Sequence, residues 1–365
     1  MATKKKSWMR WLIPGFIFQS VVIGGGYGTG AEIQQYFLTQ GFVGGIMGAM
    51  VTLVIWSALC AITFEFARTF KTFDYQSMMN KLLGKAAITY EVCYIVLLLI
   101  VLGVINATAE SMFASLTGLP GWIGIAILSV GIVALIIAGT AAIEKALSYW
   151  SYALYVVYII FMIMCFTRFG SNISEQWAAH EVSSSWFVMG AKYSFYNLGI
   201  VPALLYTMRD VDTRKEAVTE GLIAGAIGVI PAILLLVCEA GCMPATLTAE
   251  VPVTAIFDVL QSRPLYIAFE IVLFGTLIET GTGFIKAVDD RIELTVEKKG
   301  GQKPAWIRPV IAVVSVVIGI CVAKFGLTGL IAQGYGTICW GFLIFFVVPM
   351  VTIGIYKISK ADKAA

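Results

Sequence analysis

The sequence predicts an all-α membrane protein with about ten transmembrane helices, and three observations lead there. Of the 365 residues, 59% are hydrophobic and only 13% are charged, whereas an ordinary soluble domain carries about 25% charged residues. So little polar material cannot cover a compact body of this size in water, so lipid must solvate much of the surface. Apolar runs long enough to cross about 30 Å of hydrocarbon recur near residues 11–37, 42–66, 86–115, 121–139, 146–167, 186–208, 217–240, 264–287, 307–325 and 330–357, with short connections. Basic residues are asymmetric about these runs. With a cytoplasmic N-terminus, ten spans return the C-terminus to the same side. Every Lys and Arg then lies at a cytoplasmic segment except Arg168, Arg263 and Lys324 outside and Lys192 within a span, as the positive-inside rule requires.

Taken in order, residues 1–10 form a cytoplasmic tail holding Lys4-Lys5-Lys6. The apolar run that follows has no short core ending in a small-x-small cleavage site, so it is expected to stay as the first helix rather than leave as a signal peptide. That helix contains Ile23-Gly24-Gly25-Gly26-Tyr27-Gly28-Thr29-Gly30-Ala31-Glu32, with five glycines in seven positions. Glycine weakens a helix by roughly 1 kcal/mol relative to alanine. Freed backbone inside a bilayer is tolerated only against protein or a water-filled cavity. The stretch is therefore expected to unwind at mid-membrane, the alternative being a close helix–helix contact.

The sixth run carries Tyr196-Asn197-Leu198-Gly199-Ile200-Val201-Pro202. Pro202 removes a helical hydrogen bond and clashes with the preceding turn. Ten spans divide into a first half, 11–167, and a second half, 186–357, joined by an outer loop at 168–185 and followed by a cytoplasmic tail at 358–365. An odd number of spans per half inverts one half relative to the other. Interrupted helices at matching positions of two such halves point to a transporter site. A second outer segment, 241–263, holds Pro244, Pro252 and an apolar stretch that reads either as a lid helix or as a plain surface helix. Trp8, Trp11, Trp186 and Trp306 suit interfacial anchors.

At these residues the chain resembles a family. It is similar to bacterial YkvI-type membrane proteins within the amino acid–polyamine–organocation superfamily, which shares the LeuT five-plus-five fold. Gly26-Tyr27-Gly28-Thr29, followed by Gln40-Gly41 and Gly44-Gly45, is similar to the first helix of neurotransmitter:sodium symporters, and Trp186 through Tyr206 to their sixth. The resemblance implies that the main chain at Val22, Gly24 and Gly25 faces ions or substrate. It implies that Gly26 and Gly28 admit substrate to the backbone, that Phe195 is an aromatic lid, and that Tyr27, Tyr196, Asn197 and Gly199 line the pocket. The sequence departs from that family in four places. Lys192 stands at a neutral family position in the sixth helix. Glu32 stands where the family has an outer-gate arginine. The middle of helix 3, around Leu97 to Leu99, lacks a tyrosine. Helix 5 lacks a buried lysine.

Ionisable groups at membrane depth cost roughly 2.5–3.5 kcal/mol on insertion scales and mark function by default. Glu279 lies in Thr276-Leu277-Ile278-Glu279-Thr280, where it either binds Na⁺ with Thr280, Val22 and Gly25 or carries a proton; the alternative is a structural hydrogen bond. Glu32 and Lys192 read as a reversed-polarity gate with Phe195, or the Lys192 ammonium receives a substrate carboxylate; the alternative is a static ion pair at the outer interface. Glu110 is expected to reach water, and Glu65, Glu91, Glu220 and Glu239, near helix ends, to be solvated or capping.

The expected function is ion-coupled transport of a small solute, such as an amino acid or amine, by alternating access in the cell membrane. Lipid and solute are the expected partners. No cofactor is implied beyond Na⁺ as a coupling ion. The lone histidine and the absence of a catalytic constellation speak against an enzyme. The lack of a P-loop speaks against an ATP-driven pump, and the scattered basic residues against nucleic acid. Two alternatives stand: a sensor with a transporter fold, and a channel. Gly334-Tyr335-Gly336-Thr337 repeats the first-helix motif and is similar to a potassium filter, but a filter needs a re-entrant loop and four-fold repetition.

Overall fold

The structure is a computed structural model that describes residues 8–298, 301 and 304–363. The Lys4-Lys5-Lys6 run and the Trp8 side chain lie outside the described residues. Every regular element among the described residues is helical. Six helices are long and apolar enough to cross a membrane, two further apolar helices are shorter, and the two broken spans complete the ten expected runs.

The first span is α1 (Ile13–Val22), α2 (Gly25–Gly28) and α3 (Ala31–Tyr36). α4 (Phe42–Phe70) crosses next. α5 (Tyr75–Leu83) leads into α6 (Ala87–Thr117), and α7 (Trp122–Ala138) and α8 (Thr140–Ala179) complete the first half. The second half opens with α9 (Trp186–Leu198) and a 3₁₀ stretch, Val201–Asp210. α10 (Arg214–Gly241) is followed by short α11 (Ala245–Thr248) and α12 (Pro252–Leu260), and then by α13 (Arg263–Lys298) and α14 (Ile307–Ala323). The last span runs α15 (Leu327–Gly329), a π-helical turn Leu330–Tyr335, α16 (Gly336–Phe342), two more π turns and α17 (Ile355–Asp362).

Spans at matching positions of the two halves pack on each other: α4 on α10, α6 on α13, and α7 on α14. This pairing is the signature of the inverted repeat. Its tightest seam is α4–α10, where small residues let two backbones approach. A Cβ placed on Gly225 falls 2.6 Å from Ser57 Cα, and one on Gly221 meets Ala61 backbone just as closely. The Ser57 hydroxyl crosses the same seam to donate to the Leu222 carbonyl at 3.1 Å. Around the outside, Val54, Val130, Ile137 and Phe325 are exposed, as lipid-facing positions are.

Several expectations are corrected. The segment 168–185 is not a loop for most of its length: α8 continues to Ala179 and ends at His180 in left-handed conformation. Its polar composition reads as loop, but it contains no proline to stop the helix. Glu65, Glu220 and Glu239 are buried rather than solvated. Glu65 accepts two hydrogen bonds from Arg68, at 2.8 and 2.7 Å. Glu239 is covered because α12 and the outer half of the first span close over the end of α10. Glu110 is exposed, as expected. Trp306 is exposed, and Trp11 and Trp186 are half-buried.

Candidate functional site

The first span breaks twice. Ile23 (φ −72°, ψ 81°) and Gly24 (φ −106°, ψ −164°) leave helical geometry, and Gly30 takes φ 84°, a left-handed value that strains any residue with a Cβ. Between them α2 is one turn. The Gly24 N–H turns back to the Val22 carbonyl at 2.8 Å. The Val21 and Ile23 carbonyls and the Gly25 and Gly26 amides have no backbone partner among the described residues. In the sixth span α9 stops at Leu198, and the chain beyond Pro202 is wound as 3₁₀ turns. So long a 3₁₀ run is uncommon and marks a hinge or strain.

Tyrosine hydroxyls satisfy some of the carbonyls these breaks release. Tyr90 on α6 donates to the Gly199 carbonyl at 2.6 Å, and Tyr158 on α8 to the Gly28 carbonyl at 2.9 Å. Tyr36 reaches the Ile331 carbonyl at 3.0 Å in the first π turn of the last span. A buried carbonyl without a donor would cost about 1–3 kcal/mol, so these bonds help to hold the breaks open.

The two breaks face one cavity. Val22, Gly24, Gly25 and Glu32 line it from the first span, and Tyr196, Asn197 and Ile200 from the sixth. Leu97 and Val101 on α6, Thr280 and Phe284 on α13, and Tyr335 close it. Its volume is about 30 Å³, room for water-sized or ion-sized occupants. A second cavity of about 230 Å³ adjoins it through Val21, Ile200, Thr280 and Phe284, and is also lined by Ser20, Tyr94, Thr276 and Glu279. A third lies farther along α13, at Tyr94, Ala287 and Val288. The three share wall residues and follow one another from mid-bundle toward the end where α13 terminates.

Thr280 sits beside Gly24: a Cβ there would lie 3.8 Å from the threonine hydroxyl. Glu279 looks into the larger cavity, and its Oε1 has no hydrogen-bond partner among the described residues. Val22, Gly25 and Thr280 thus share one cavity, with Glu279 in the next.

On the far side of the break the path is closed. Glu32 is 4% exposed and its carboxylate accepts from the Tyr196 hydroxyl. The Tyr196 ring stacks on Tyr335 at 4.5 Å with an interplanar angle of 7°, and Tyr36 lies 5.7 Å from Tyr196. α12 seals this side further. The Val253 N–H donates to the Thr29 carbonyl at 3.1 Å. Gln34 reaches the Thr246 and Ala249 carbonyls at 2.5 and 3.0 Å.

The remaining candidates lie elsewhere. Glu32 and Lys192 do not pair: Lys192 Nζ lies over the Trp340 ring, 5.7 Å from its centre, while Glu32 turns inward. The two side chains leave their helices toward different partners. Phe195 is half-buried and does not line the cavity. Gly28 is filled on its open side by Leu273 and lies near the Tyr158 hydroxyl, and Gly199 packs against Phe342. Tyr27 is buried, with its hydroxyl near Tyr158, Glu32 and Glu239. Gly26 lies beneath Glu32. Sequence reasoning missed Tyr335 as a wall of the site. Its signal was the repeated Gly-Tyr-Gly-Thr, which had suggested a filter.

No protein-family model matches the chain. It is 20% identical over 285 residues to the uncharacterized membrane protein YkvI of Bacillus subtilis (strain 168), covering 76% of this chain and 80% of that one. It superposes on a substrate-bound, outward-open Na⁺-coupled sialic acid symporter with a TM-score of 0.67 at 12% identity, over 93% of this chain and 79% of the other. The structure of MhsT in complex with L-phenylalanine matches over the full length of both chains, with a TM-score of 0.60 at 14% identity. The chain is a multi-pass membrane protein with the five-plus-five inverted-repeat fold that its first and sixth helices imply.

Proposed function

We propose that the protein is an ion-coupled secondary transporter of a small solute, working by alternating access. The observation that carries this reading is the facing pair of breaks. Two interrupted helices at matching positions open main-chain groups onto one cavity at mid-bundle, where substrate and coupling ions meet in such folds. The likeness to a Na⁺-coupled symporter supports the same reading. The coupling cation, Na⁺ or H⁺, is received between the first span and α13. Thr280 and the carboxylate of Glu279 supply side-chain oxygens there, and the main chain around Val22, Gly24 and Gly25 supplies carbonyls. The solute occupies the adjoining larger space, along Val21, Tyr94, Ile200 and Phe284, and reaches Tyr196 and Asn197 at its inner end.

The distribution of basic residues puts both termini in the cytoplasm, so the path along α13 leads inward. Glu32, Tyr196, Tyr335 and α12 form the outer seal, with Phe195 and Lys192 behind it. The halves 11–167 and 186–357 move against each other, and the 3₁₀ stretch Val201–Asp210 is a natural hinge. The chemistry is binding and release, with no bond made or broken.

Purified protein in liposomes tests this. Uptake of the solute saturates, accumulates under an imposed Na⁺ or proton gradient, and stops when the gradient is dissipated. Unsaturable conductance would instead mean a channel, and ligand binding without flux a sensor.

A further inference from the structure

The acid at the break bears on what is carried. Glu32 lies in the outer half of the first span, yet its side chain runs back over α2. The carboxylate faces the Tyr27 backbone amide and accepts from the Tyr196 hydroxyl. It lies so close on Gly26 that a Cβ there would meet Glu32 Cγ at 2.9 Å. A broken helix offers its freed amides, and the positive end of its dipole, to an anion. Here the protein's own carboxylate takes the amide of Tyr27, within the one turn of α2.

The charges around the path agree. The residues lining the two connected cavities include two carboxylates, Glu32 and Glu279, and no Lys, Arg or His. Lys192, the basic residue of the sixth span, is occupied by Trp340. A solute bringing its own carboxylate would find the Tyr27 amide taken and two acidic side chains, with no basic one, along the two cavities. A solute bringing a positive charge would find an acid set among electron-rich rings, since Tyr36, Tyr193, Tyr196 and Tyr335 all lie near Glu32. Aromatic faces beside a carboxylate are a recurring receptor for ammonium groups.

We propose that the cargo is an organic cation, an amine with no carboxylate, whose ammonium is received by Glu32 beside the stacked Tyr196–Tyr335 pair. Its apolar or polar tail lies in the 230 Å³ cavity along Val21, Tyr94 and Phe284. The proposal rests on the transport reading and narrows it: one intramembrane acid serves the cargo, and the other, Glu279, serves the coupling cation.

Matched pairs of an amino acid and its decarboxylated amine isolate the one group in question: tyrosine and tyramine, ornithine and putrescine, arginine and agmatine. Thermal unfolding of the full chain measures binding, and uptake into liposomes measures flux. The expected result is that an amine raises the unfolding temperature of the wild type and binds at least about tenfold more tightly than its parent amino acid. In Glu32→Gln that preference is lost. Glu32→Ala, which vacates the amide, gains binding of the amino acid. If either variant fails to fold, the wild-type pairs still decide. Binding by no amine in the panel overturns the proposal. Flux of an amino acid with rejection of its amine also overturns it, while sustaining the transport reading. Amine binding without flux under any gradient sustains the cation site and overturns transport.

Discussion

Glu279→Gln abolishes gradient-driven uptake while the protein stays folded. The carboxylate looks into the larger cavity one residue from Thr280, which itself lies beside Gly24 at the break. Its Oε1 takes no hydrogen bond among the described residues, so a neutral amide of the same shape gives up no known partner. Fold stability is expected to change by less than about 1 kcal/mol, because the amide keeps the volume and shape of the side chain on the cavity wall. Cation binding is expected to weaken about 100-fold, the equivalent of about 2.8 kcal/mol. Uptake against a gradient measures the first effect, and thermal unfolding the second. Wild-type accumulation in the variant would remove Glu279 from the coupling site. Comparing Na⁺ and proton gradients in the wild type then identifies the ion.

The second large effect is on the fold. Gly225 lies where α10 crosses α4, and a Cβ there falls 2.5 Å from Ser57 Oγ and 2.6 Å from its Cα. The second of these contacts is backbone and cannot rotate away. Gly225→Ala is expected to cost about 1–3 kcal/mol, as overpacking does. Gly225→Leu is expected to prevent recovery of folded protein, since α4 and α10 hold the bundle around the broken first span. Gly170→Ala is the control: a Cβ there meets nothing within 4 Å, and alanine favours the helix by up to about 1 kcal/mol. Thermal unfolding in detergent separates the three. Equal stability of Gly225→Leu and wild type would contradict the packing described for this seam.

The architecture was legible because a bilayer translates span length directly into hydrophobic run length. The ten runs coincide with six long helices, two short ones and two broken spans. The breaks were legible for a related reason: Gly24, Gly30 and Pro202 are residue types that cannot serve a continuous helix well. Position along the chain relative to the breaks was readable as well: Val22, Gly24, Gly25, Tyr196, Asn197 and Thr280 line one cavity. Azimuth was not. Glu32 and Lys192 are both in broken spans, yet one turns to Tyr196 and the other toward Trp340. Tertiary cover was not readable either. Glu239 seemed to be near a solvated helix end until α12 and Gly30 closed over it. The Tyr196–Tyr335 stack joins the sixth span to the last and depends on a π turn that sequence pattern does not announce.

Transport as proposed requires that the first span be open at Ile23–Gly24 and that a ligand close around the opening. Hydrogen–deuterium exchange of the peptide spanning residues 20–30 measures it in the intact protein. The Gly25 and Gly26 amides lack backbone partners among the described residues, so this peptide is expected to exchange much faster than the middle of α4, and to slow when the coupling cation and solute are added. Exchange as slow as in α4, indifferent to every cation and solute, would mean an unbroken helix and would contradict the account.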